Sequence, residues 1–184
     1  FSQESNSDRS TWLVDPDRDP VYHRVFVDTD NFGPSYLDSL EASYEKVPVD
    51  SVRFSILNDL AYYWHTRNLN KSLDLTRKGL ALTRDAGDEL WEGRFMITEG
   101  AVLLRMEELD SAYALLEDAK SKVHVSDLPH LLTQQGYVFE RRGDLNRATD
   151  LAYEVLKLSQ DLNYRKGIAV AYSDLSNLFW KYER

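Results

Sequence analysis

From residue 34 onward, apolar residues recur every three or four positions, which is the spacing that places them on one face of an α-helix. Short polar segments interrupt this pattern. The pattern therefore predicts eight helices, over residues 34–46, 51–66, 71–86, 89–106, 110–123, 128–142, 146–161 and 164–182. Because the predicted connections are short, each helix is expected to run antiparallel to the next.

Polar residues stand where several of these helices are expected to begin. Asp and Asn side chains at such positions accept hydrogen bonds from amides of the first turn, which have no partner within the helix. The expected N-caps are Asp50, Asn70, Asp88, Asp110, Asp127 and Asn146.

Small residues also repeat with nearly constant spacing. The sets are Ala61…Ser72…Gly79, Gly100…Ala112…Ala119 and Gly136…Ala148…Val155, and Ser176 starts a fourth. The first gap is 11, 12 and 12 residues, and the second gap is 7 residues in each set. A small residue lets a neighbouring helix cross closely, so the repeat predicts an all-α array of stacked helical hairpins.

Two polar residues break the pattern next to these small positions. The preceding residue is apolar at Leu60 and Leu175, but it is Glu99 in the second set and Gln135 in the third. One interpretation is a buried hydrogen bond between Glu99 and Gln135. The other is a slight rotation of both helices that leaves the two side chains partly exposed.

These residues carry a resemblance to a known family. Gly136, Phe139, Gly143, Asp144, Leu145 and Ala148 follow the tetratricopeptide-repeat pattern closely, and Gly100, Leu103, Leu109, Ala112 and Ala119 follow it well. Residues 51–184 thus resemble a tetratricopeptide-repeat domain, in a long-helix variant found in bacterial regulatory proteins. The resemblance implies a right-handed superhelix of antiparallel helix pairs within a domain over 34–184. Its repeats would start near residues 53, 93, 129 and 169.

In this family the first helix of each hairpin lines a concave groove. Carried over, the peptide-binding groove would include Asn58, Tyr62, His65, Arg94, Arg105, His130, Tyr137, Arg141, Asn177 and Lys181. A groove with this many basic residues would favour a protein or peptide ligand with acidic groups. The alternative is a solvated face whose charges pair with acids on neighbouring turns.

Residues 1–33 differ from the rest of the chain. A polar leader precedes two prolines, Pro16 and Pro20, and a segment over 21–27 that is rich in β-branched and aromatic residues. We interpret 1–33 as an irregular arm that lies on the helices. Because the chain starts at Phe1 and stops within a repeat, we interpret it as part of a longer protein. A removed signal peptide would indicate the periplasm, and the cytoplasm stays open.

Composition narrows the function classes. The 184 residues carry 31 acidic and 22 basic side chains, a net charge of −9 that disfavours nucleic acid and anionic membranes as partners. There is no cysteine, which excludes disulfides and thiolate chemistry. The four histidines form no metal-binding motif, and no phosphate loop or nucleophile elbow occurs. We therefore expect no metal, no cofactor and no enzymatic activity.

Two functions remain. The segments 57–63 and 165–172 resemble repeats from sensor regions of Bacteroidetes signalling proteins, which implies a sensor or scaffold part of a larger signal-transduction protein. The alternative is an assembly platform without a groove ligand. In that case we expect homo-oligomers through the C-terminal repeat, where Leu175, Leu178, Phe179 and Trp180 would lack a covering helix.

Overall fold

The computed structural model describes residues 32–183. In this range the chain is all-helical, without β-strands, which confirms the predicted class for this part of the molecule. The arm expected over 1–33 lies outside the described residues, except for Phe32 and Gly33.

Eight α-helices follow one another in residues 32–183. They are α1 (Pro34–Ser43), α2 (Ser51–Trp64), α3 (Leu69–Ala86), α4 (Glu89–Arg105), α5 (Leu109–Ala119), α6 (Leu128–Arg141), α7 (Leu145–Asp161) and α8 (Arg165–Tyr182). A single 3-10 turn, Val125–Asp127, precedes α6.

Every helix packs against the next one along the chain, and a second set of contacts links alternate helices. Helix α4 contacts α2 and α6 in addition to its sequence neighbours, and α6 contacts α8. Helix α4 is therefore surrounded, and all of its residues from Gly93 to Leu104 are buried. The main apolar core is formed around it by Phe54, Leu57, Phe95, Ile97, Leu116 and Leu131, among others.

The observed helix starts show that three of the six predicted N-caps are wrong. Asp50 and Asp88 cap α2 and α4 as expected, accepting hydrogen bonds from the amides of Val52 and Trp91. The caps predicted at Asn70, Asp110 and Asn146 are wrong, because α3, α5 and α7 each begin earlier, at a leucine. Their N-cap positions are held by Asn68, Glu108 and Asp144. Asp127 stands at the N-cap position of α6, but its side chain caps nothing there.

The small residues lie where helices cross, and the distance between the crossing helices differs from one small residue to another. The ring of Phe95 from α4 lies against Gly79 of α3, where a Cβ atom would overlap it. A Cβ atom at Gly100 of α4 would lie 2.8 Å from Cγ of Leu116, which is fully buried on α5. At Gly136 the nearest atoms would be 3.9 Å from a Cβ atom, which is an ordinary contact.

Two equivalent turns place different residues in the left-handed region. Gly143 has φ +79° between α6 and α7, and Glu107 has φ +61° at the same position between α4 and α5. An L-residue with a side chain is strained in this region by roughly 1 kcal/mol, and glycine is not. The turn after α4 thus has the same backbone geometry as the turn after α6, although it carries a glutamate where the other carries a glycine.

Glu99 and Gln135 do not bond to each other. Nε of Arg77, on α3, lies 3.4 Å from Oε1 of Glu99, and Nε2 of Gln135 donates to Oε1 of Glu117, on α5, at 2.6 Å. Each polar residue therefore faces the second helix of the preceding hairpin, and both are buried.

The C-terminal helix also departs from expectation. Leu175 and Leu178 are buried with Phe139, Ala148 and Ala152, so the prediction that they form an uncovered surface is wrong. Phe179 and Trp180 are about half exposed. The two leucines lie on the face of α8 that points back into the array, and the aromatic pair does not.

The two glycines at equivalent repeat positions are expected to respond oppositely to alanine. Gly100→Ala should lower the free energy of unfolding by about 1–3 kcal/mol, because the new methyl group overpacks the buried Leu116. Gly136→Ala should raise it by about 0.5–1 kcal/mol, because alanine favours the helix and meets only ordinary contacts. Urea denaturation of both variants measures these changes, and a loss of stability in Gly136→Ala would contradict the difference between the two crossings.

Candidate functional site

A cleft of about 180 Å³ opens between four helices of the array. Helix α2 contributes one lining residue, α4 another, and α6 and α8 supply most of the rest, together with the residue that precedes α8. The lining residues are Tyr62, Arg105, Pro129, His130, Thr133, Gln134, Tyr137, Tyr164, Lys166, Gly167 and Val170. All four helices belong to the set linked by alternate contacts, so the cleft lies on one side of the array.

A proline and a glycine shape the first turns of the two helices that supply most of the cleft lining. Pro129 sits in the first turn of α6, where its missing amide costs nothing. Gly167 lies in the first turn of α8, and a Cβ atom there would overlap the ring of Tyr164 and the hydroxyl of Ser159. The absence of that atom lets the Tyr164 ring pack against α8, where it is almost fully buried.

Aromatic rings form one wall of the cleft. The Tyr62 ring stacks on His65 with 4.2 Å between centroids, and it meets the edge of His130 at 5.6 Å. Burial, together with the nearby charges of His65, Lys166 and Arg105, lowers the pKa of His130 to about 3. His130 is therefore neutral at physiological pH and adds no charge to the cleft.

Two permanent cations lie in the cleft. Arg105 extends from the C-terminal turn of α4, where it donates to the carbonyl of Ala101 at 3.1 Å, and Lys166 extends from the first turn of α8. No acidic residue is among the described residues that line the cleft. Arg141 adds a further positive charge close enough to lower the pKa of Arg105, after the larger effect of burial.

Tyr137 separates the cations from a more acidic region. Its hydroxyl donates to Oδ1 of Asp174 at 3.1 Å. Burial raises the pKa of Asp174, the hydrogen bond from Tyr137 opposes this rise and the charge of Glu140 adds to it, and the resulting pKa is about 6. A much smaller cavity of about 10 Å³ lies on this side of Tyr137, lined mainly by apolar residues of α6, α7 and α8. The positive charges thus face the larger cleft.

The structure brings together four of the ten residues predicted for the groove. Tyr62, Arg105, His130 and Tyr137 all line the cleft. His65 lies beside it and is buried beneath the Tyr62 ring.

The remaining predicted residues lie elsewhere. Asn58 and Arg94 are buried, the first accepting a hydrogen bond from Thr98 at 2.7 Å, so neither presents a surface to a ligand. Arg141 and Lys181 pair with Glu107 and Glu140. Asn177 is exposed on α8.

Sequence reasoning missed the contribution of the α7–α8 connection. Tyr164, Lys166, Gly167 and Val170 reach the cleft from the start of α8, and Gln134 reaches it from α6. The repeat pattern locates side chains by their distance from the small residue. The four residues at the start of α8 lie six to twelve residues before Ser176. Gly167 could have indicated this contribution, because a glycine inside a helical pattern often marks a place where another part of the chain packs closely against the helix.

A buried ion pair holds α6 in position. Nε of Arg94, on α4, donates to Oδ2 of Asp127 at 3.1 Å, and both side chains are almost completely buried. Asp127 also accepts from the amide of His124 at 3.3 Å. Burial raises the pKa of Asp127, which Arg94 partly opposes. This pair fixes the turn before α6, the helix that provides most of the cleft.

Removing one partner of this pair should destabilise the protein strongly. Arg94→Met is expected to lower the free energy of unfolding by about 3–5 kcal/mol, because it leaves a buried carboxylate without its cation. The double variant Arg94→Met/Asp127→Leu should recover a large part of that loss. Urea unfolding measures both effects. The control is Arg84→Met, which breaks a more exposed pair with Glu92 and should cost less than about 1 kcal/mol.

A buried carboxyl on α2 lies apart from the cleft. Oδ1 of Asp59 is shielded from solvent and has no hydrogen-bond partner among the residues described. Burial raises the pKa of Asp59 to about 8. The folded protein therefore holds this proton more tightly than the unfolded chain does.

Asp59 should make stability fall as pH rises. Its folded-state pKa is raised, so the free energy of unfolding decreases from about pH 4 to about pH 8, where the folded carboxyl ionises. Asp59→Asn should gain stability relative to the wild type by at least about 1 kcal/mol more at pH 8 than at pH 5, because the wild type loses stability throughout this interval. Thermal unfolding at both pH values measures this. Asp150→Asn, at an exposed position on α7, serves as the control, and an equal effect of Asp59→Asn at both pH values would contradict the assignment.

Neither a metal-binding cluster nor a membrane-crossing helix occurs in residues 32–183. That range contains no group of three or more His, Asp or Glu side chains arranged to hold a metal ion. None of its helices combines the length and apolar character that crossing a bilayer requires. No protein-family model matches the sequence, and no curated protein matches it significantly.

Proposed function

We propose that this chain is a peptide-binding helical repeat domain whose cleft holds an acidic segment of a partner protein. The domain acts as the sensor or scaffold part of a larger bacterial signal-transduction protein. It has the form of a tetratricopeptide-like, right-handed superhelix with the cleft on its concave side. The ordered contacts between alternate helices support this arrangement, since they place α2, α4, α6 and α8 side by side.

One observation carries the proposal. A chain with a net charge of −9 has a cleft lined by Arg105 and Lys166 and by no acidic residue within the part described. Positive charge concentrated in a concave site attracts anionic groups, and the surrounding acidic surface turns away ligands that are acidic throughout. The cleft therefore favours a ligand with a few acidic groups placed to enter it.

The cleft also suits a peptide in its uncharged features. Tyr62 and Tyr137 present rigid aromatic surfaces, which serve as anchors at protein interfaces because they lose little conformational entropy on binding. The amide of Gln134 can donate to and accept from a peptide backbone. We propose binding rather than catalysis, since burial keeps His130 neutral and makes it a weak base.

Reversing the charge of the cleft should abolish binding of acidic peptides. Arg105→Glu/Lys166→Glu is expected to weaken the affinity for a fluorescein-labelled peptide that carries two glutamates among uncharged residues by at least about tenfold, because both introduced carboxylates then repel the ligand. Fluorescence anisotropy at low and moderate ionic strength measures the affinity.

The matched control is Lys46→Glu/Lys157→Glu, which makes the same change of net charge at exposed positions on other parts of the surface. It should leave the affinity nearly unchanged at moderate ionic strength, where distant charges are screened. Equal losses in both double variants would show a general effect of net charge and would overturn the assignment of the cleft.

A further inference from the structure

The residues that precede Phe32 carry a large part of the acidity of this chain. Residues 1–31 contain seven acidic and three basic side chains. The densest acidic run among them is Asp-Pro-Asp-Arg-Asp-Pro at residues 15–20, which we call the acidic segment. It has the composition that the cleft favours, a few acidic groups close together, and it belongs to the same chain.

The cleft concentrates positive charge in a small volume of about 180 Å³. Arg105 and Lys166 approach it from different helices, α4 and α8, and both lower the pKa of His130, after the larger effect of burial. No acidic side chain is among the described residues that line the cleft. The two cations therefore act on one site, and a carboxylate that enters it meets the field of both.

Phe32 determines where the N-terminal residues join the helices. Its ring stacks on that of Tyr63 with 6.4 Å between centroids, and it meets the edge of Tyr36 at 4.8 Å. Tyr63 lies in the last turn of α2, next to Tyr62, which lines the cleft. The chain thus joins the array on one of the four helices that form the cleft.

The acidic segment is long enough in linkage to reach the cations from this point. Asp19 lies 13 positions before Phe32, and 13 residues span at most roughly 43 Å. Packed neighbouring helices lie up to about 10 Å apart, so α2 and α8, with α4 and α6 between them, are about 30 Å apart. Chain length therefore permits contact with Arg105 and with Lys166.

The spacing of the aspartates and the two prolines suits binding. In an extended chain, side chains two positions apart point to the same side and lie about 7 Å from each other. Asp15, Asp17 and Asp19 have this spacing. Pro16 and Pro20 restrict the backbone of the unbound chain, which reduces the conformational entropy lost on binding.

Attachment to the same chain favours occupancy of the cleft. A ligand joined to its site by a short linker acts at an effective concentration on the order of millimolar. A dissociation constant of about 1 mM for the contact is then enough to occupy the site about half of the time. A partner peptide would have to displace this competitor, which lowers its apparent affinity by the fraction of sites that are free.

We propose that the acidic segment binds in the cleft of its own chain and competes there with the acidic groups of a partner protein. This rests on the proposed function in one respect, the assignment of the cleft as a site for acidic groups. It adds regulation to that site, because the domain carries its own competitor and binds a partner fully only when the acidic segment is displaced.

Removing the three aspartates should strengthen peptide binding. The full-length variant Asp15→Asn/Asp17→Asn/Asp19→Asn is expected to bind the fluorescein-labelled peptide with two glutamates at least about threefold more tightly than the wild type, because the competitor has lost its charge. Fluorescence anisotropy measures the affinity, and circular dichroism shows that the variant is folded.

The matched control is Glu4→Gln/Asp28→Asn/Asp30→Asn, which removes three acidic groups from residues 1–31 outside the acidic segment. It should leave the affinity nearly unchanged at moderate ionic strength. Equal gains in the two triple variants would show an effect of net charge alone and would overturn the assignment of the competitor.

Disulfide trapping tests the contact without any peptide, since the chain has no cysteine of its own. Asp17→Cys/Val170→Cys should form a disulfide within one chain on mild oxidation, at a rate that is independent of protein concentration, because Val170 lines the cleft. Asp17→Cys/Tyr153→Cys is the control and should oxidise at least about tenfold more slowly, since Tyr153 is exposed on α7 outside the cleft lining.

The two measurements separate this proposal from the proposed function. Preferential trapping at Val170, with no peptide binding by any variant, would support the contact and count against the binding of a partner peptide. Equal trapping at Val170 and Tyr153, with peptide affinity unchanged in the Asn variant, would overturn the contact and leave the proposed function in place. Disulfides formed between two chains in preference to one would also overturn it.

Discussion

The close crossing of helices at small residues is the constraint on which the rest of this structure depends. Where Phe95 enters beside Gly79 and Leu116 beside Gly100, neighbouring helices approach closely enough for their large side chains to interdigitate. Helix α4 is consequently enclosed by four other helices and buries almost its entire length. Dispersion contacts and loss of apolar surface from water at these crossings stabilise an array that has no disulfide or β-sheet in its described part.

The cleft follows from that packing and from one buried ion pair. Helix α4 supplies Arg105 at its exposed end and Arg94 in its buried part, and these two arginines have different roles. Arg94 is satisfied by Asp127 and places α6, whereas Arg105 keeps only one carbonyl contact and directs its charge into the cleft. An acidic protein can maintain a positive site in this way, because the arginine that is needed for the fold and the arginine that lines the cleft are kept apart.

Much of the fold could be predicted from spacing alone. Helical periodicity located all eight helices of the described range, and the small residues identified the crossings at Gly79 and Gly100. Capping was less predictable, since Asn68 and Asn70 are the same residue type two positions apart, and the structure places the cap at Asn68. Glu107 could not have been predicted to adopt a positive φ, because the geometry is imposed by the turn and not by the residue.

The candidate site was predicted in part, for a similar reason. Tyr62, Arg105, His130 and Tyr137 keep a fixed distance from the small residue of their helix, so a repeat pattern could locate them. Arg94 occupies an equivalent position, but the acidic residue that draws it inward belongs to a 3-10 turn outside the repeat. Lys166 depends on the geometry of the α7–α8 connection, which no periodic pattern describes.

The order of helix contacts has a consequence for motion. Within the described residues, α8 contacts α7 and α6 and no other helix, whereas α4 has neighbours on four sides. Contacts between residues far apart in sequence are therefore few, and such an array opens stepwise from an end instead of all at once. Since one side of the cleft belongs to α8, the shape of the cleft depends on how α8 packs against α6 and α7. Hydrogen exchange is expected to be slowest at α4, which is buried among its four neighbours.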